Sequence, residues 1–298
     1  MPSDTPSVNE RLGVRWTDVL SHVLSTLIAV MVGVYISLFW VQTGLWMPTW
    51  FGRMPHRFHV WATGLLNRGA GSVGLAPLDS RWVWALLSLT MGIAVPWMVM
   101  ALLGRGRPTD IGLRWPNRVG WRLTVLGYLV AMPMVVVMAR SPAARSYYQT
   151  EIARDAMGHL AGVYLCVLVA EHFFFQGILL AVLRPGRRWP IVPETASVEE
   201  SPRLRMLRWI GLAQPTDGSR GLRAVTRWIG LADGCFYAVL LQAALFGLAH
   251  AGKPSVEWLL SFPGGVGLGY VAYRSGSLVI PMVLHAATAL TTLALMRF

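Results

Sequence analysis

The chain has 298 residues, 54% of them hydrophobic and 13% charged, and its mean hydropathy is +0.50. A soluble domain covers itself with far more charge, so the composition excludes one and points to an all-α, polytopic membrane helix bundle. The net charge of +12 is almost wholly arginine, since Lys253 is the single lysine, and the arginines gather between apolar runs, which suits anionic lipid head groups and not nucleic acid.

A spanning helix needs about 20 mainly apolar residues. Seven stretches meet or approach that length, at roughly 23–46, 82–103, 120–139, 159–183, 234–252, 256–273 and 278–296. The first follows a mixed-charge start and is too long for a signal-peptide core, so it is expected to be retained as a helix. The connection after it holds "HRFH" (His56 to His59) between Trp50 and Trp61, which reads as an interfacial belt and not a metal site. Pro263, Gly264, Gly265, Gly267 and Gly269 interrupt the sixth stretch; the Gly265/Gly269 spacing is that of close helix packing.

Alternate connections hold 17 of the 26 Lys and Arg residues, which with seven spans puts the N-terminus in the cytoplasm. The longest connection, 184–233, repeats "RWIGLA" at 208–213 and 227–232. Around the second copy, Leu222, Val225 and Ile229 share one helical face and Arg220, Arg223 and Arg227 another, so 203–227 is expected to lie on anionic lipid as a basic surface helix. Cys166 and Cys235 sit in or beside apolar runs and read as packing residues. The arginine bias fits a GC-rich bacterial genome, and hence a bacterial cytoplasmic membrane.

Ionisable groups at membrane depth are costly and by default functional. Glu171 in "AEHFFFQG" falls in the middle of the fourth stretch, His250 near the end of the fifth in "FGLAH", and His285 in the seventh in "HAATAL". No other acidic residue falls deep in a span, and an acid with two histidines on three helices is hard to dismiss as unrelated interior bridges.

These residues resemble the CPBP family of intramembrane proteases, the CAAX prenyl endopeptidases and their bacteriocin-processing relatives. That family carries EExxxR, FxxxH and HxxxN on successive helices, and "EHFFFQ" (171–176), "FGLAH" (246–250) and "HAATA" (285–289) follow in the same order. "DIGLRW" (110–115) and "GLGYVAYRSGSLVIPMVLHA" (267–286) also look like family text. The resemblance spans about 105–295. It implies a catalytic core over 105–298, with a basic insertion at 184–233, behind an N-terminal helical part over 1–104. It also implies cleavage of a peptide bond in a membrane-anchored or exported protein.

Three positions depart from the pattern: His172 stands for the second Glu, Gln176 for the Arg and Ala289 for the Asn. Residues 172 and 176 are one turn apart, so the family ion pair is replaced by a neutral pair that can still hydrogen-bond. Glu171, about 100° around the helix, is expected to face away from that pair and to act as base. Desolvation raises the pKa of a carboxyl in an apolar bundle, which suits a group that takes a proton and returns it. His250 and His285 would position water or an oxyanion, Phe246 belongs to the second motif, and Thr288 is the candidate substitute for the missing amide.

A zinc version is open as well, with Glu171, His250 and His285 as three ligands and a free fourth position. The chain has no HExxH, and the cofactor-free reading is the one adopted. Two other classes compete: a catalytically altered family member acting as an immunity, binding or regulatory protein, and a transporter using Glu171. No inverted repeat supports the transporter.

Overall fold

The computed structural model describes residues 26–27, 29–36, 53–74, 76–102, 107–154, 157–183, 225, 229, 231, 235–251 and 253–297. It is all-helical, and no strand occurs among the described residues. Most of the first expected span, His22 and nearly all of the basic 203–227 segment lie outside the described residues.

Helix α1 (Arg53–Ser72) is followed by α2 (Ser80–Leu89), which runs through a π-helical turn (Thr90–Ala94) into α3 (Val95–Leu102). A 3-10 turn (Pro108–Ile111) leads to α4 (Arg118–Arg140), α5 (Pro142–Arg154) and α6 (Met157–His172). The last continues as a π segment (Phe173–Leu179) and the short α7 (Leu180–Leu183). Then come α8 (Cys235–Ala249), α9 (Ser255–Ser275) and α10 (Val279–Arg297).

Four helical runs are long and apolar enough to cross a membrane: Arg81–Leu102, Arg118–Arg140, Ala161–Leu183 and Val279–Arg297. Helix α8 is apolar but has only 15 residues, short of the roughly 20 that a span requires, so the expected count of seven is not reproduced among the described residues. The connections on either side of the second and third spans also differ from expectation. "HRFH" falls inside α1, and 142–154 is the helix α5, because polar helices escape a reading based on apolar length.

The 161–183 run is the centre of the bundle. It is 72% buried, against 22–28% for the other three spans, and every residue from Ala170 to Ala181 is inside. Phe174 and Phe175 join Tyr35, Val167, Phe246, Leu268, Ile280 and Leu284 in one apolar core. The two π turns meet at this centre, where a Cβ on Gly92 would come within 2.9 Å of the Ala170 carbonyl oxygen. π turns of this kind often accompany functional sites. Leu102, Leu129, Val130, Leu259 and Leu290 point outward, as lipid-facing side chains do.

Small residues bring the helices together as their spacing suggests. Gly265 and Gly269 of α9 face Ala243, Phe246 and Gln242 of α8, while Gly264 and Gly267 face open space. Gly127 receives Leu284, so α4 and α10 approach closely, and Tyr128 and Thr291 hydrogen-bond across them at 2.7 Å.

The entry to α10 is clasped by the 110–115 turn. The Leu278 amide donates to the Gly112 carbonyl (2.8 Å), Arg114 Nε to the Gly276 carbonyl (2.6 Å), and the Ser277 hydroxyl to the Arg114 carbonyl (2.6 Å). Gly112 and Gly276 have φ of 79° and 60°, a region that costs a side-chain-bearing residue about 1 kcal/mol or more. Two separate stretches of family-like sequence thus fix the helix that carries His285.

Candidate functional site

Glu171 and His172 end α6 at the first residue of the π segment, His250 occupies the turn that closes α8, and His285 lies one-third of the way along α10. These elements converge. Glu171 is 3% exposed, His172 0% and His250 3%, whereas the His285 side chain is 26% exposed and is the open member of the group.

His250 is oriented by its own helix. Its Nδ1 lies 2.9 Å from the Phe246 carbonyl, which can only accept, so the proton sits on Nδ1 and Nε2 presents a lone pair. The Phe246 ring lies under the imidazole at a centroid distance of 4.6 Å. Nε2 faces Glu171 Oε2 at 4.0 Å. The other carboxylate oxygen, Oε1, is 3.6 Å from His285 Nδ1 and has no hydrogen-bond partner among the described residues.

A second chain of contacts runs through the departures from the family pattern. His172 Nδ1 bonds Gln176 Oε1 at 2.7 Å, the pairing expected one turn apart. His172 Nε2 then bonds His285 Nδ1 at 2.9 Å, with the rings perpendicular. The expectation that Glu171 and His172 face separate surroundings is therefore corrected. The segment is buried on all sides, so residues 100° apart both meet inner helices, and His285 joins them.

Glu171, His172 and His285 each offer a ligand atom, all within 4.8 Å of one another. The three-ligand set expected from sequence contained His250 instead of His172. Thr288 does not present a free hydroxyl to the site, because its Oγ1 bonds the Leu284 (3.1 Å) and His285 (2.9 Å) carbonyls.

Sequence reading missed a polar brace beside the site. The Lys253 amide donates to the His250 carbonyl at 3.1 Å, and Lys253 Nζ pairs with Glu257 at 2.7 Å, which also accepts from the Tyr148 hydroxyl at 2.7 Å. Burial alone would lower the ammonium pKa, but Glu257 against it carries the value above the ordinary lysine range. Its being the single lysine was the available signal. Tyr35, stacked on Phe174 at 4.4 Å, had none.

Residues 203–291 match the family described as Type II CAAX prenyl endopeptidase Rce1-like. Over those residues the chain is similar to the CPBP family. The matched stretch contains His250 and His285 and ends its N-terminal side after Glu171, so geometry and not the match joins Glu171 to the two histidines. No curated protein and no solved structure matches the chain. The membrane setting and the family support a protease acting on a peptide or protein at the membrane.

Proposed function

We propose that the protein is an intramembrane endopeptidase in which Glu171 activates water with His250 and His285. The observation that carries this reading is the spacing of Glu171 Oε2 and His250 Nε2. At 4.0 Å the two acceptors are too far apart to bond each other and near enough for one water to donate to both. Such a water turns its lone pairs outward, toward a carbonyl carbon. Glu171 takes the proton as the C–O bond forms and returns it to the leaving amine. His285, the most exposed of the three side chains, is the one assigned to meet the substrate carbonyl.

The substrate class follows from the family: a membrane-anchored or exported protein or peptide. The cytoplasmic N-terminus, the bacterial cytoplasmic membrane and the lipid-bound 203–227 segment belong to the same proposal. The test is Glu171→Gln, His250→Ala and His285→Ala in cells expressing candidate membrane-anchored substrates. Each should abolish processing while the protein still inserts, and processing that persists in all three would overturn the reading.

A second reading keeps the fold as a binding or regulatory protein. It is favoured by the Thr288 hydroxyl being committed to its own helix at the turn where the family has an amide. Unaltered substrate that copurifies with the wild-type protein would support it.

A further inference from the structure

The departures from the family pattern build a site that the pattern itself does not contain. We infer that Glu171, His172 and His285 form a binding site for a borderline divalent transition metal, with Zn²⁺ as the fitting ion and His172 as the decisive ligand. Two imidazoles and one carboxylate are the donor set such ions take, whereas Mg²⁺ and Ca²⁺ require oxygen donors.

Three observations carry this. The ligand atoms lie within 4.8 Å of one another on two helices, α6 and α10. Nitrogen ligands on a tetrahedral ion stand about 3.3 Å apart, so His172 Nε2 and His285 Nδ1, now 2.9 Å apart, need to separate by only a few tenths of an ångström. Glu171 Oε1 is already 3.6 Å from His285 Nδ1.

Next, the carboxylate oxygen on this side, Oε1, is buried and has no hydrogen-bond partner among the described residues, a costly condition that a cation relieves. Finally, Gln176 is placed as an outer support. Its Oε1 accepts from His172 Nδ1, which leaves the Nε2 lone pair for a metal, the arrangement that usually accompanies a metal-bound histidine. A glutamate at position 172 would supply no such nitrogen.

The site uses Oε1, while the water proposed above uses Oε2 and His250 on the other side of the same carboxylate. Metal binding is read without any substrate, so its outcome is independent of the peptidase reading. His250, whose Nε2 lies on the Oε2 side of the carboxylate and outside the Glu171, His172 and His285 cluster, is the internal control.

The experiment uses purified, chelator-stripped full-length protein in detergent micelles, titrated with Co²⁺ and back-titrated with Zn²⁺. The wild type should bind one ion per chain, with the visible d–d bands of a low-coordinate cobalt site and their displacement by Zn²⁺. His172→Ala, Glu171→Gln and His285→Ala should each weaken binding at least tenfold. His250→Ala should stay within about threefold, and Gln176→Leu, which alters no ligand, should weaken binding about tenfold.

Circular dichroism and gel filtration report whether each variant folds; if His172→Ala does not, His172→Gln and Gln176→Leu carry the comparison. The inference fails if the wild type binds no ion stoichiometrically, or if His172→Ala binds as the wild type does. It also fails if His250→Ala loses as much affinity as His172→Ala.

Discussion

Glu171 Oε2 stands 4.0 Å from His250 Nε2, and the opposite nitrogen of that imidazole is committed to the Phe246 carbonyl. Two acceptors therefore face each other across a gap of about one water. If Glu171 takes the proton of that water, Glu171→Gln keeps shape and hydrogen bonding but not basicity. The rate of cleavage should fall by about 10²–10⁴-fold, the usual contribution of a general base. Single-turnover kinetics on a membrane-anchored substrate measure it, and a decrease below tenfold would exclude Glu171 as the base.

His172→Glu restores the family residue without its partner. The new carboxylate would be fully buried beside Glu171, with Gln176 unable to neutralise it. An uncompensated buried charge costs about 3–5 kcal/mol. Adding Gln176→Arg supplies the counter-charge, so the double variant should unfold at a higher temperature than the single. Equal melting temperatures would refute the idea that the two departures compensate each other.

Much of this was legible in the chain, for physical reasons that also mark the limit. Membrane depth makes ionisable residues conspicuous, so Glu171, His250 and His285 stand out of apolar text. The pairing of His172 with Gln176 follows from one helical turn, and the packing roles of Gly265 and Gly269 from their spacing. What failed depended on long-range contact or on polar helices. Nothing local places His172 against His285, 113 positions away, or Tyr148 against Glu257, 109 positions away. The π turn that follows Glu171 and His172 has no sequence mark that sets it apart from ordinary helix. Helices α1 and α5 lack the apolar length by which a membrane chain is first divided.

Lys253→Met should destabilise the bundle more than Tyr148→Phe. The first leaves the Glu257 carboxylate buried without its cation, at about 3–5 kcal/mol, and the second removes one hydrogen bond to a charged group, at about 1.5–3 kcal/mol. Glu257 is only 8% exposed, so solvent offers little compensation. Thermal unfolding in detergent measures both, and a smaller loss for Lys253→Met would contradict the brace.

The same pair sets a pH dependence. Because the folded pKa of Lys253 is raised, its stabilisation is fully present below the unfolded lysine value, about 10.4, and is lost only as pH rises through the higher folded value. Lysine-linked stability should therefore be flat from neutrality to about pH 10 and fall above it. The Lys253→Met variant lacks this alkaline loss, so its melting temperature should approach that of the wild type at high pH. Parallel curves for the two proteins throughout the alkaline range would show that Lys253 does not supply the stabilising charge.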